Sequence, residues 1–348
     1  MSEQEAQRSV DAIEQAVFEE IGEETTLGLY EQMLLMRRFE EQAGRVYQMG
    51  GKIKGFCHLY IGQEAVAAGS MHTLTPDDYV ISAYREHAQA IAKGVDPDAV
   101  MAELYAKSTG TSQGMGGSMH IFDVEKKFYG GWGIVGGHVP TATGIGFAIK
   151  YRQEDACCLC YFGDGSIHQG AFHESLNMAK LWDLPVVYII ENNGYGMGTS
   201  LERASAITEL SKKAPGYGMP GDTFDGQNIF VVIDGVKRAV ERAKQEHTPT
   251  LLDIKTYRFR GHSMSDPATY RTKEELDTEK GRDPIQHLHN FLVDKGVKSD
   301  DDLKALDKAV KAQVKDSIKK AEAADFPDVS KMYDYTYVDW SWEHEGRS

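Results

Sequence analysis

Apolar positions in this chain fall into short unbroken runs and into longer stretches with helical spacing. Cys157 to Phe162 (CCLCYF) and Val186 to Ile190 (VVYII) are continuous apolar runs, and each predicts a strand buried on both faces. Between them, His168 to Trp182 places Phe172, Leu176 and Ala179 on one helical face, and Pro185 punctuates the return. Tyr79 to Ala83, Ile229 to Asp234 (IFVVID) and Thr250 to Tyr257 (TLLDIKTY) predict three more strands, with a helix from Gly235 to Gln245 between the last two. Helical spacing also covers residues 3–22, then 25–49 with Leu27, Tyr30, Met33, Leu34 and Phe39 as its apolar side. It recurs from Gln63 to Met71, at 97–107, and from Thr141 to Arg152, where Gly144 and Gly146 allow close packing. Residues 273–323 are charged and helical. Residues 51–59 form a Gly-bounded loop, and residues 109–138 are glycine-dense and too irregular for an ordinary connection, which predicts functional loops. The aromatic, polar tail from Tyr333 to Ser348 is expected to lie on a partner or to be mobile. No internal repeat or low-complexity block interrupts this order.

The unit around Pro185 carries the densest chemistry. Gly163-Asp164-Gly165 ends its first strand and Asn192-Asn193 ends its second, so both motifs sit at carboxyl ends of parallel strands, where open α/β sheets bind ligands. An Asp between glycines lets backbone approach a phosphate closely. The N–H groups of Gly165 and Ser166 and the start of the following helix favour an anion. Asp164 offers a hard carboxylate oxygen, Asn193 a neutral amide oxygen, and the loop at Tyr195 a backbone carbonyl. Three such oxygens with two phosphate oxygens and a water would complete the shell of about six that Mg²⁺ prefers. Either motif alone reads as a turn. Both together at the scale of a strand–helix–strand unit, about 30 residues, favour a metal-diphosphate clamp.

Size and charge narrow the classes. The 348 residues suffice for one large α/β domain spanning 1–348. A formal net charge of −15 argues against a nucleic-acid surface. No segment approaches the roughly 18 consecutive apolar residues of a membrane span. The acidic start MSEQEAQRSVDAIEQ reads as neither a secretory nor a mitochondrial leader, so a cytoplasmic, bacterial setting is expected, with a mitochondrial matrix or plastid location left open for a processed form. Cys157, Cys158 and Cys160 share one strand and Cys57 lies apart; adjacent strand residues face opposite ways, which does not suit a tetrahedral zinc site and leaves them as small core hydrophobes.

The two motifs and their flanks carry a resemblance. GDG followed by NN looks like the thiamine diphosphate signature, and GDGSIHQGAFHESLNMAKLW with ENNGYGMGTSLERAS resembles the α subunit of the E1 component of 2-oxoacid dehydrogenase complexes. GFCHLYIGQEAV, ISAYREH, GMGGSMH, FYGGWGIVGGHVP and RGHSMSDPATYRT are similar to the pyruvate-acting branch, over roughly residues 25 to 335. The resemblance implies a thiamine diphosphate-binding fold of the diphosphate type, with a mostly parallel sheet, helices on both faces, a helical N-terminal arm and a helical C-terminal region. It implies oxidative decarboxylation of pyruvate with thiamine diphosphate and Mg²⁺, and transfer of the acetyl unit to the lipoyl domain of the E2 component.

Residue by residue, the resemblance implies Asp164, Asn193 and Tyr195 as metal ligands, and Gly165 and Ser166 at the diphosphate. Tyr84 and Arg85 also fall to diphosphate binding; an ion pair of Arg85 with Glu86 is the structural alternative. Main chain at Gly133 and Val135 would hold the aminopyrimidine ring, and Met197 would pack under the cofactor, the alternative for Met197 being an ordinary core methionine. His58 and His262 would contact diphosphate or substrate and shuttle protons. His262 lies in a stretch that looks like a phosphorylation loop: Ser263 and Ser200 match two sites, while at the third the chain is one residue shorter and carries Thr269.

One part is missing from the sequence. The family activates its cofactor with a carboxylate from a pyrimidine-binding domain, and only the diphosphate-binding unit is recognisable here. Glu64 in GQEAV is the nearest internal candidate, and its Ala neighbours on a helix favour a structural role. The resemblance implies that the carboxylate comes from an E1 β subunit in an α₂β₂ heterotetramer. An acetoin or branched-chain 2-oxoacid E1 α subunit is the alternative substrate reading. A cofactor-binding scaffold without catalysis is the alternative class, disfavoured by the presence of Asp164, Asn193 and His262.

Overall fold

In the computed structural model, which describes residues 9–335, a kinked helix leads into alternating strands and helices. The elements are α1 (Val10–Gln48), α2 (Glu64–His72), β1 (Tyr79–Ala83), α3 (His87–Ala92), α4 (Pro97–Leu104), β2 (Phe128–Trp132), α5 (Val139–Arg152), β3 (Cys158–Gly163), α6 (Gly170–Leu181) and β4 (Val186–Asn192). A two-residue hairpin pair, β5 (Tyr195–Gly196) and β6 (Thr199–Ser200), is followed by α7 (Leu201–Ala204), β7 (Gly221–Asp225), α8 (Ile229–Glu246), β8 (Thr250–Lys255), α9 (Lys273–Lys280), α10 (Pro284–Asp294) and α11 (Asp300–Ala323). Six strands form one parallel sheet in the order β2-β1-β3-β4-β8-β7.

The strands β1, β3, β4 and β8 are buried on both faces, and β3 and the first five residues of β4 accordingly read as unbroken apolar runs. On one face Val80, Leu159, Tyr161, Val187, Ile189, Leu252 and Ile254 pack against α1, α2, α3, α4, α8, α10 and α11. On the other, Ile81, Cys158, Cys160, Phe162, Tyr188 and Ile190 pack against α5, α6 and the 3₁₀ segment Leu210–Tyr217. All four cysteines are buried and reduced; Cys157 faces the first core, Cys158 and Cys160 the second. No helix among the described residues is long and apolar enough to cross a membrane.

The two predicted N-terminal helices meet at Gly22, whose φ of 79° and ψ of 172° break α1. Residues 3–8 of the first lie outside the described residues, as does the predicted tail beyond residue 335. The predicted strand Ile229 to Asp234 is not a strand. It is the opening of α8: the Asn228 side-chain oxygen caps it by accepting from Phe230 N–H at 3.0 Å and Val231 N–H at 3.5 Å. The apolar run continues at helical spacing through Val236, Ala239, Val240 and Ala243, all buried, so the long period overrides the β-branched composition. The strand next to β8 is instead the polar GDTFD of β7. The glycine-dense stretch contains one strand, β2, which the loop expectation missed.

Strand order places the site. From β1 the chain steps outward to the edge strand β2, then returns across β1 to β3 on its other side. The carboxyl ends of β1 and β3 therefore flank a topological switch point, where a crevice opens. Arg85 follows β1, Asp164 follows β3 and Asn193 follows β4, on three adjacent strands.

Candidate functional site

The crevice holds a cavity of about 240 Å³ lined by Tyr84, Arg85, Val135, Asp164, Gly165, Ser166, Asn193, Tyr195, Met197 and His262, together with Glu191 and Arg258. Register explains the pairing of its two motifs: Gly163 stands opposite Glu191 on parallel neighbours, so Asp164 and the asparagines leave the sheet side by side. Asp164 opens a one-turn 3₁₀ segment, Asp164–His168, before α6 starts at Gly170, two residues later than the predicted helix at His168. A Cβ on Gly163 would meet only open space, and one on Gly165 would sit 3.6 Å from the Cα of Gly196. The backbone here is bare and two loops nearly touch, as close approach of a phosphate requires.

Asp164 is buried, and burial pushes its carboxyl up to about 6, with the Arg258 guanidinium pulling the other way. Asn193 is also buried; its amide donates to Gln63 Oε1 at 3.1 Å, which turns its Oδ1 away from that contact. Arg258 donates through Nη1 to Asn193 Oδ1 at 3.2 Å and to the Tyr195 backbone oxygen at 3.3 Å, and through Nη2 to the Met197 backbone oxygen at 3.0 Å. One fork thus gathers three loop oxygens from residues that line the same cavity as Asp164. Among the described residues no group of three or more His, Cys, Asp or Glu side chains could hold a metal. A cation here would rest on one carboxylate and neutral oxygens, a hard donor set suited to Mg²⁺ rather than to a softer metal.

Arg85 is buried and makes no ion pair with Glu86. Its guanidinium donates to the backbone oxygens of Leu59 at 2.7 Å and His262 at 2.8 Å, while Glu86 accepts from Ile121 N–H at 3.1 Å. Burial, then the nearby Arg258, lowers Arg85 to about 10, so it stays a cation at neutral pH. His58, Tyr84 and His262 form a ring cluster with centroids 4.6 Å (His58–Tyr84), 5.1 Å (His58–His262) and 5.7 Å (Tyr84–His262) apart. Burial, reinforced by Arg85, lowers His58 to about 2 and His262 to about 4. Both rings are therefore neutral near pH 7, and the Nδ1 atom of each is buried without a protein partner. Two neutral imidazoles and a cationic guanidinium beside a carboxylate fit an anionic ligand that brings its own polar atoms.

Gly133 lies one residue beyond β2 against the His120 ring, and Val135 reaches the cavity wall. Met197 is no core methionine: it is 65% exposed with φ of 54°. Tyr195 anchors its hydroxyl on Glu275 at 2.9 Å, leaving only its main chain toward Arg258. Ser263 is buried and pairs with Ser265 at 2.9 Å, and Ser200 sits in β6. Glu64 is structural. It accepts from Arg37 Nη2 at 2.9 Å and from Gly62 N–H at 3.1 Å.

Two lining residues escaped the sequence reading. Glu191 accepts from the Tyr60 hydroxyl and from Gln89 Nε2 at 2.7 Å, and burial pushes it up to about 7. Arg258 follows β8 by three residues. Both had a signal: a charged residue at the end of an apolar strand run points to the ligand-binding edge of the sheet.

The family model for the dehydrogenase E1 component matches residues 31–330. The pyruvate dehydrogenase E1 component subunit alpha of Rickettsia bellii is 47% identical over 309 residues, covering 89% of this chain and 94% of the relative. The protein of the same name from Rhizobium meliloti is 49% identical over 315 residues, 90% of each chain. That from Zymomonas mobilis is 48% identical over 312 residues, 89% of this chain and 88% of the relative.

Proposed function

The chain belongs to the dehydrogenase E1 component family, and we propose that it acts as the α subunit of a pyruvate dehydrogenase E1, clamping thiamine diphosphate and Mg²⁺ in the crevice of a thiamine diphosphate-binding fold. The observation that carries this reading is the convergence of Asp164, Asn193 Oδ1 and the Tyr195 carbonyl beside a bare glycine backbone and the buried Arg85. Family membership and relatives named for pyruvate support it over an acetoin or branched-chain substrate.

When bound, thiamine diphosphate supplies a carbon nucleophile and an electron sink for a 2-oxoacid. The chain's own residues then have separate tasks. Asp164, Asn193 and Tyr195 hold Mg²⁺; Gly165, Ser166, Tyr84 and Arg85 hold the diphosphate. Main chain at Gly133 and Val135 would hold the aminopyrimidine, and Met197 would pack against the cofactor. His58 and His262, kept neutral by burial and by Arg85, can each donate a hydrogen bond from one ring nitrogen and accept one at the other near neutral pH. They also present no cation that would trap a carboxylate substrate.

The site is half built. Glu64 is occupied by Arg37, and Glu191 by Tyr60 and Gln89, so neither carboxylate is free to serve the aminopyrimidine. Val135 and Met197 expose apolar surface at the cavity, and Ile134 next to Val135 is exposed as well. This arrangement supports an E1 β subunit that covers the mouth and brings the missing carboxylate, in an α₂β₂ assembly serving the lipoyl domain of E2. Co-expression with a β subunit, then turnover of a panel of 2-oxoacids with an artificial electron acceptor, tests the proposal. Pyruvate is expected to be preferred; preference for branched-chain acids, or no decarboxylation despite cofactor binding, overturns it.

A further inference from the structure

The glycine-dense segment has its own internal support. Glu103, in the last turn of α4, is fully buried, and its carboxylate is wrapped by backbone. Oε2 accepts from Ser112 N–H at 2.8 Å and Gly114 N–H at 2.9 Å; Oε1 accepts from Gly116 N–H at 2.7 Å and Gly117 N–H at 3.0 Å. Left-handed backbone at Gln113 (φ 54°), Gly114 (φ 79°) and Gly117 (φ 69°) turns these N–H groups inward, as in the concave nests that bind free anions. Gly110 closes the nest from outside, since a Cβ there would lie 2.3 Å from Glu103 Oε2. The loop is folded around a carboxylate that the chain itself supplies.

The nest connects to the cavity wall. Ser112 Oγ donates to the His120 backbone oxygen at 2.7 Å, and Gly116 packs so close to that oxygen that a Cβ would reach 2.3 Å. The His120 ring then bonds through Nδ1 to the Gly131 oxygen at 3.1 Å and lies against Gly133, where a Cβ would approach its Cε1 to 3.3 Å. The stretch between is tied down separately, Ser118 by His87 at 3.0 Å and Ile121 N–H by Glu86 at 3.1 Å.

We propose that Glu103 is a positioning residue: as an internal anion it shapes loop 112–117, and through His120 it sets the 131–135 backbone that leads to Val135 in the cavity lining. Its bearing on cofactor affinity rests on the function proposed above; its bearing on the backbone does not. In the αβ complex, Glu103→Ala and the near-isosteric Glu103→Gln, which presents an NH₂ to two of the four N–H groups, are compared with wild type by amide hydrogen exchange. Exchange is expected to quicken about tenfold or more in 112–117 and also in 131–135, with β3 and β4 unchanged. The dissociation constant for thiamine diphosphate is expected to rise about tenfold, the loss of one charge-assisted hydrogen bond. Acetate or formate, but not acetamide, should restore both readouts in Glu103→Ala. Loosening of 112–117 without change at 131–135 overturns the proposal, as does equal rescue by acetamide. Should Glu103→Ala fail to fold, Glu103→Gln carries the exchange comparison. Wild type that exchanges as expected yet binds no thiamine diphosphate would refute the proposed function and leave the positioning role standing.

Discussion

Arg258 and Asn193 meet across 3.2 Å, Nη1 donating to the Oδ1 proposed as a metal ligand beside Asp164 in the same cavity. The fork also donates to the carbonyls of Tyr195 and Met197 and to the Tyr270 hydroxyl at 3.0 Å, which itself donates to Asp266 at 2.8 Å. The guanidinium thus does two opposing things to a cation site: it orients the oxygens and it repels the ion. Lysine separates them, keeping the charge and losing the fork. Arg258→Lys is expected to weaken Mn²⁺ affinity, read by paramagnetic titration, by about tenfold, one oriented hydrogen bond's worth. Unchanged or tighter binding would show that repulsion dominates.

How far the sequence reveals this site follows from what sets each element. The strands β1, β3, β4 and β8 were legible because burial on both faces leaves them mostly apolar, with polar residues such as Asp253 and Asn192 bonded to each other. Asp164 and Asn193 were legible because they end two of those strands. The edge strands were not: Phe128–Trp132 carries two glycines and Gly221–Asp225 two aspartates, and one-sided pairing tolerates both. Ile229 to Asp234 misled because six residues cannot separate a buried strand from the first turns of a helix; the Asn228 cap was the available discriminator. The His58–Tyr84–His262 cluster joins three loops distant in sequence, and only the fold brings the rings within contact.

Asp164 supplies the only carboxylate among the three proposed metal oxygens, and it supports no element of the sheet. Asp164→Ala removes the charge that offsets the ion's dehydration while leaving β3 and α6 packed as before. Mg²⁺-dependent binding of thiamine diphosphate to the αβ complex is expected to fall at least about a hundredfold, some 2.7 kcal/mol, with an unchanged thermal transition. Calorimetric affinity equal to wild type would refute the ligand assignment.

The two site imidazoles also predict an acid limit. His58 and His262 titrate at about 2 and about 4 in the fold against 6.5 unfolded, so the unfolded chain binds more protons as pH falls. Their contribution is fully present above about pH 6.5 and drains away as pH drops toward 4 for His262 and on toward 2 for His58. His87 works with the opposite sign, since Glu40 raises it against its burial. His262→Gln, which keeps a polar side chain that cannot charge, is expected to flatten the fall in urea midpoint between pH 6.5 and pH 4. A profile parallel to wild type would place the acid sensitivity elsewhere.

Gly131 and Glu86 make the tightest steric demand near the site. A Cβ on Gly131 would fall 1.8 Å from Glu86 Oε1 and 2.0 Å from its Cδ, far inside van der Waals contact. Glu86 has no room to retreat: it is fully buried, and its Oε1 holds Ile121 N–H. Burial pushes its carboxyl up to about 8, so near pH 7 it is mostly a neutral acid, and removing it strands no buried charge. Gly131→Ala is therefore expected to destabilise by about 3 kcal/mol or more, the upper range for overpacking a rigid core. Gly131→Ala with Glu86→Ala should recover part of that loss, because the second change deletes the atoms in collision while costing about 1–3 kcal/mol for the orphaned Ile121 N–H. The sign of the coupling in a denaturant double-mutant cycle decides the matter. Additive losses would mean that the strand end moves to admit the methyl, and that Glu86 does not fix the path of the chain from β2 into the cavity wall.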